Sequence, residues 1–267
     1  MISALPGRSV ISVSGADSAR FLDGLLTVQV ESLEDGALAY GALLSPQGKI
    51  LTDMMVFRRG NGFALDVPAE AADDLVRRLT MYKLRAAVDV ALTGEHVAIS
   101  ADEGIADPRG SNLLNRLLTA DAAPQGDALS AYTRARISAG VPDAVIDFPL
   151  GDAFPHDANM DLTGGVDFHK GCFVGQEVVS RMRHRGTARR RTVLVSGKAP
   201  LPAPGTALTL DGRAVGRMGV SDGDSGLALI RIDRTDGTAE ADGRALSLAP
   251  PPGAPFVLGR TAGSDEA

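Results

Sequence analysis

The sequence predicts an α+β fold, and three observations predict it. Over residues 1–95 short β-rich runs are interleaved with helical apolar spacing. Residues 101–127 and 141–171 break that texture with Pro, Gly and Asp. After Arg191 short apolar runs alternate with Gly turns, the pattern of a small antiparallel barrel or sandwich of about 65 residues. The 267-residue length allows one large domain or two to three small ones.

Ser9 to Val13 is the first β-rich run. Ser14 and Asp17 follow at capping-box spacing, with Asp in place of the usual Glu, ahead of a helix carrying Phe21, Leu22, Leu25 and Leu26 on one side. Gly41 to Leu44 and Ile50 to Phe57 read as strands joined by the turn Ser45-Pro46-Gln47-Gly48. Asn61-Gly62 signals a hairpin with Phe63 to Val67 as its return strand. Pro68 opens a helix with Leu75, Val76 and Leu79 on its apolar side, and Val88 to Leu92 is another strand. The short segment Leu113 to Leu118 sits among chain breakers and reads as part of a variable loop region. Asp127 caps a helix through Ile137, stopped by Gly140 and Pro142. Residues 141–171 read as extended or looped. Beyond Arg191, Val193, Val195, Leu208, Leu210, Val215, Val220, Leu227 and Leu229 lie between the turns Pro204-Gly205, Asp211-Gly212, Asp222-Gly223 and Asp236-Gly237. Residues 259–267 read as a loose tail.

Composition narrows the function classes. Hydrophobic residues are 44% and charged residues 22%, enough apolar material for a core. A net charge of −6, with no Trp, three Tyr and eight Phe, argues against a nucleic-acid partner. No apolar run reaches the length of about 18 residues that spans a membrane, so no membrane association is expected. The N-terminus lacks the basic segment and long apolar core of a signal peptide. The single cysteine excludes an internal disulfide and fits a reducing compartment, so a cytoplasmic location is expected.

Chemistry concentrates between His156 and Arg191, which holds Cys172, three of the four histidines and a basic run. Lys170 and Gly171 precede the cysteine, and Gly175-Gln176-Glu177 begins a helix through Arg183. Neighbouring cations and helix N-termini favour thiolates in general, and the two glycines permit a sharp bend or a close backbone approach. Lys170, Cys172, Gln176 and Glu177 thus form a candidate reactive or ligand-contacting loop. Equally, Cys172 reads as a small buried apolar residue in a tight turn. His156, His169, Cys172 and His184 are zinc-type ligands, but their spacing matches no metal motif and no metal site is assigned. Arg181, Arg183, Arg185, Arg189, Arg190 and Arg191 suit phosphate or polyglutamate carboxylates, or form a charged helix face leading into a polar linker.

The eight residues Lys170 to Glu177, KGCFVGQE, match without a gap the signature Lys-Gly-Cys-(Tyr/Phe)-x-Gly-Gln-Glu. They resemble in this the YgfZ/Iba57 family of folate-binding, iron–sulfur-cluster-maintenance proteins, relatives of the glycine-cleavage T-protein. FPHDANMD, Phe154 to Asp161, resembles the family's F-P-H-E-A-N-L-D, with Asp157 for Glu. GADSARFLDGLLT, YGALLSPQGKILTDMMVF and LRAAVDV resemble its first domain, so that the likeness covers most of residues 9–258.

The resemblance implies a GcvT-like arrangement of subdomains around a central cleft. These would be 1–95, 96–190 with the cysteine motif (the first two able to intertwine) and a β barrel at 191–258. It implies tetrahydrofolate or a derivative in the cleft, and a role in assembly or repair of iron–sulfur clusters in a subset of enzymes. Partners would be folate and iron–sulfur client or assembly proteins, with transient cluster contact. Cys172 and Lys170 would be the acting residues. Asp53, Arg136, Gly171, Gly175, Gln176, Glu177 and Arg183 would contact the cofactor. Two departures set the chain apart from T-proteins. Gly48-Lys49-Ile50-Leu51-Thr52-Asp53 keeps Asp53 alone where T-proteins carry paired aspartates. Ala135-Arg136-Ile137-Ser138-Ala139-Gly140 puts Ser138 where they carry the glutamate that meets the pterin. Aminomethyl-type one-carbon transfer is therefore the second reading, and RNA binding, seen in other T-protein-like folds, the third.

Overall fold

The computed structural model describes residues 2–259, so the expected tail lies outside it beyond Gly259. Its elements in chain order are β1 (Ile2–Ala4), β2 (Arg8–Ser14), α1 (Ser18–Asp23), β3 (Leu38–Leu44), β4 (Ile50–Arg59), β5 (Gly62–Pro68), α2 (Ala69–Tyr82), β6 (Asp89–Leu92), β7 (His96–Ser100), β8 (Asn115–Thr119), α3 (Ala128–Ala139) and α4 (Gln176–Arg185). The last part holds β9 (Arg190–Gly197), β10 (Ala207–Leu210), β11 (Arg213–Asp222), β12 (Ser225–Arg231), β13 (Thr238–Ala241) and β14 (Arg244–Ala249). The fold is α+β: a five-stranded sheet ordered β3-β4-β5-β2-β6, a three-stranded sheet β1-β7-β8, and a closed six-stranded antiparallel barrel.

The five-stranded sheet is apolar on both faces because two different layers cover it. Strand side chains alternate sides, so each strand serves two cores. Leu43, Met54, Val56, Leu65, Ile11 and Val13 meet Leu22 of α1 and Leu75 and Leu79 of α2. Tyr40, Leu44, Met55, Phe57, Ala64 and Val10 face the other way, into a core shared with Ile99, Tyr132, Phe148 and Phe173. By the same alternation Asp53 and Asp66 fall on this second face, with Met55 and Ala64. Their charges are met there by residues from the rest of the chain.

That meeting is a buried ion network. Asp66 accepts from Arg8 (2.5 Å) and from Arg116 of β8 (2.6 Å). Arg116 also donates to Asp107 (3.3 Å) and to the Tyr132 hydroxyl of α3 (2.5 Å). Arg109 holds Asp107 through two nitrogens and reaches Asp143 (2.8 Å). Arg136 continues to Asp147 (3.0 Å), which accepts the Val220 N–H of β11 (2.7 Å). The network thus runs from the first sheet to the barrel.

Several local expectations change. The two-residue hairpin loop is Gly60-Asn61, one residue earlier than Asn61-Gly62, because Arg59 pairs with Gly62 and Gly60 supplies the positive φ of 49°. The capping box does not form: Asp17 turns its carboxylate to the Ala87 N–H (2.7 Å), and α1 ends at Asp23, before Leu25 and Leu26. Asp127 stands at the N-cap of α3 but makes no side-chain cap bond, while Gly140 ends that helix in the left-handed conformation. The expected loop region contains β8, which pairs with β7 from His96↔Thr119 to Ser100↔Asn115. A five-residue strand flanked by breakers lacks the length for a periodicity signal, and its pairing partner supplies the structure.

Arg116 is the cation that joins the two sheets. Replacing it with Met leaves Asp66 and Asp107 each short of a partner, and the expected loss in urea denaturation is about 3–5 kcal/mol. A loss of about 1 kcal/mol or less, the worth of an exposed pair, would remove the network from this role.

Candidate functional site

Cys172 lies on a loop anchored on both sides. Upstream, the buried Lys170 ammonium donates to the carbonyls of Asp23 (2.6 Å), Leu26 (2.9 Å) and Val28 (3.0 Å), with the Asp23 carboxylate 3.6 Å away. Burial pulls its pKa below the usual lysine value. Three N–H bonds meet three acceptors, so Lys170, expected to act beside the thiol, instead ties the loop to the segment after α1. Downstream, Gly175 adopts φ 81° and packs on the β3–β4 turn. A Cβ there would come within 2.6 Å of the Ser45 carbonyl and 3.0 Å of the Gly48 Cα. The Gly48 backbone (φ 77°) packs in turn against Val178. The turn and the cysteine motif, far apart in sequence, therefore meet. Gly171 has open space where a Cβ would stand, so close approach is required at Gly175 only.

Between these anchors Cys172 is exposed, while Phe173 beside it is buried in the main core. This sets aside the reading of Cys172 as a buried apolar residue. Gln176 donates back to the Gly171 carbonyl (3.4 Å) and so closes the loop on itself. Glu177 is exposed and stands 3.7 Å from Arg181. Arg183 stacks over the Phe168 ring at 4.0 Å. Arg190 and Arg191 leave the proposed anion-gripping run for structural work. Arg190 binds Asp157 (2.6 Å) and Asp152 (2.7 Å), and Arg191 binds Asp161 (2.6 Å), which pins the FPHDANMD segment to the start of the barrel.

Asp53 and Arg136 belong to the buried interior instead. The Asp53 carboxylate accepts from the Tyr40 hydroxyl (3.1 Å), and its Oδ1 is buried without a hydrogen-bond partner. Burial raises its pKa, and Asp143 adds to the rise against the pull of Arg8 and Arg109. Arg136 is committed to the Val141 carbonyl (2.9 Å), Asp147 (3.0 Å) and Asp143 (3.1 Å). The Ser138 hydroxyl is exposed and donates to the Ala135 carbonyl (3.1 Å). Of the residues expected around a folate, Asp53 keeps one acceptor oxygen without a partner, and that oxygen is buried in the core. Arg136 and Ser138 offer nothing to a pterin edge.

The sequence reading missed Tyr40, Asp107, Arg109, Arg116, Tyr132 and Asp143. Asp107-Pro108-Arg109-Gly110 read as a turn, and only the charges inside it hinted at a buried pair. Among the described residues no group of three or more His, Cys, Asp or Glu gathers as a metal site. No helix among them is long and apolar enough to cross a membrane.

Residues 8–146 match the family described as the GCVT N-terminal domain, and residues 189–256 match the CAF17 C-terminal beta-barrel domain. The chain is 32% identical to "Iron-sulfur cluster assembly factor IBA57, mitochondrial" of Mus musculus, over 87% of this chain and 78% of that protein. The same protein of Homo sapiens gives 32% with the same coverage. The IBA57 homolog of Pyricularia oryzae gives 31%, over 86% of this chain and 72% of that protein. Among solved structures, the glycine cleavage system aminomethyltransferase T from Bartonella henselae aligns with TM-score 0.74 at 20% identity, over 97% of this chain and 87% of that one, a likeness of fold. The relatives' names point to mitochondria, which corrects the expected cytoplasmic location. A lone thiol fits any reducing compartment and does not choose among them.

His156 of the FPHDANMD segment yields a pH prediction. Both its ring nitrogens are buried without partners, and burial pulls its pKa from 6.5 to about 4. Below 6.5 the unfolded ring binds a proton while the folded ring stays neutral down to about 4, so unfolding takes up a proton there. Its stabilising effect is therefore complete above that window and is lost as pH falls through it, by about 3 kcal/mol in all. Urea denaturation near pH 7 and near pH 4 should show His156→Gln losing about 3 kcal/mol less than the wild type. Equal losses would contradict the neutral buried ring.

Proposed function

The chain belongs to the IBA57 family of iron–sulfur cluster assembly factors, and on that premise we propose that it acts in iron–sulfur cluster assembly through the Cys172 thiol. The observation that carries the thiol's part is its placement. It is the only sulfhydryl in the chain, it is exposed, and its loop is held by Lys170 on one side and Gly175 on the other. A sulfur so held reaches a cluster carried by another protein without a rearrangement of the fold. One thiol supplies one of the four protein ligands typical of a cluster, so the assembly or client protein supplies the rest. The cluster is cargo here.

A tetrahydrofolate-type ligand is the finer part of the proposal. The GcvT-like fold is consistent with it, and the free Asp53 oxygen is the protein atom that would accept from it. Aminomethyl transfer has less support, since Ser138 brings no second carboxylate.

In cells lacking this protein, the wild type should restore the activity of a radical-SAM enzyme that carries a [4Fe–4S] cluster, such as a tRNA methylthiotransferase. Folded Cys172→Ala should fail to do so. Equal rescue by both would remove the thiol from the mechanism, and no rescue by either would count against the assembly role. Calorimetric titration with tetrahydrofolate separates the folate part: Asp53→Asn should bind about tenfold more weakly than the wild type. Equal affinity would exclude Asp53 as the contact.

A further inference from the structure

We infer that the exposed basic face of α4 is a docking surface for an acidic protein face, that of the protein bringing a cluster to Cys172. The inference rests on the assembly reading of that thiol and adds the charge of its partner.

Helical spacing gathers the charges. Val179 is buried in the main core, and Val178 and Met182 are half-buried, so these residues form the inner side of α4. Glu177, Arg181, His184 and Arg185 follow at spacings of three and four, which places them on the opposite side, and all four are exposed. Arg183 is exposed at the flank, over the Phe168 ring.

This face lacks counter-charge. The whole chain carries 33 acidic against 27 basic residues, yet Glu177 is the only carboxylate in α4. Its side chain is 91% exposed and 3.7 Å from Arg181, a solvated pair that contributes little. Arg183 and Arg185 make no ion pair among the described residues. The interior arginines behave otherwise: Arg109, Arg116, Arg136 and Arg191 each close on a carboxylate. A helix C-terminus favours cations, which accounts for the sign of the last turn. It does not account for the place of this face beside the thiol.

That place is fixed by hydrogen bonds. Gln176, the first residue of α4, donates its side-chain N–H to the Gly171 carbonyl (3.4 Å) and its backbone N–H to the Phe173 carbonyl (3.3 Å). The helix and both neighbours of Cys172 therefore form one unit. At about 1.5 Å per residue, the ten-residue helix is about 15 Å long. A protein interface of standard size covers about 800 Å² on each partner, so the thiol and the α4 face fit within one interface.

The charges select the partner. Clusters held by thiolates are themselves anionic, and carboxylates around one are drawn to this face while the net charge of −6 opposes them elsewhere. The same net charge and the few aromatic residues disfavour a nucleic acid. A membrane surface is disfavoured because the exposed side of α4 carries no apolar residue.

Two readouts on the full-length protein test the inference. In the first, Cys172 is timed against the dianionic disulfide dithiobis(nitrobenzoate) and the neutral disulfide dithiodipyridine. In Arg181→Glu/Arg185→Glu the ratio of the anionic to the neutral rate should drop about tenfold, and in the wild type added salt should lower it. The ratio cancels any change in thiolate fraction, and reaction with the neutral reagent shows that the loop is intact. An unchanged ratio would overturn the inference. In the second, cells lacking this protein are complemented. Arg181→Glu/Arg185→Glu should restore about a tenth or less of the radical-SAM enzyme activity that the wild type restores. Arg181→Lys/Arg185→Lys, which keeps the charge, should restore it in full. Full rescue by the glutamate variant, or loss in the lysine variant, would remove the docking face and leave the role of Cys172 standing. Equal rescue by the wild type and Cys172→Ala would instead remove the reading beneath it. Binding of a single-stranded RNA at physiological salt, lost in the glutamate variant, would overturn the choice of a protein partner.

Discussion

The arrangement of this molecule depends on the buried ion network that begins at Arg8 and Asp66 and ends at the Val220 N–H of the barrel. Burying that many charges is expensive, and the network is tolerable only because carboxylates and guanidiniums meet with good geometry. Burial alone would raise the Asp107 carboxyl, yet Arg109 and Arg116 outweigh it and pull the carboxyl below its usual range. Asp143 behaves in the same way under Arg136 and Arg109. Such a network permits few registers between its parts, since sliding one sheet by a residue would strand several charges at once. Its contribution is best understood as orientation: the first sheet, the second sheet, α3 and the barrel are locked into one relation.

Asp53 is the exception within this frame. Its pKa is raised by burial that the nearby arginines do not offset, and one oxygen lacks a partner. The carboxylates bound to arginine serve the architecture, whereas this one retains acceptor capacity. Cys172 is the opposite case, a thiol placed at the surface by a loop whose two ends are buried or packed. Lys170 fills the interior side of that loop and Phe173 the core side, so the sulfur is displayed by the packing of its neighbours.

What was legible in the sequence was local. The turn Ser45 to Gly48, the helix after Pro68 and the Gly140 stop are each encoded within a few residues by Pro and Gly chemistry, and each formed. The barrel was legible because its turns recur at short intervals between apolar runs. The strand Asn115–Thr119 was not, because its apolar residues gain meaning only against β7. The Asp17 cap was misread for a related reason: a carboxylate beside a helix start has other donors within reach, and the Ala87 N–H is seventy residues away in sequence.

By itself the sequence determined the α+β class, the lone thiol within an ungapped motif, and the absence of a second carboxylate at Ser138. These are matters of residue identity and short-range spacing. Only the tertiary structure decided that Lys170 is a tether, that Arg136 and Arg190 are committed to carboxylates, and that Arg185 is not. A charged side chain acquires its role from what stands opposite it. In this chain those partners come from distant segments, as Asp66 meets Arg116 and Asp157 meets Arg190.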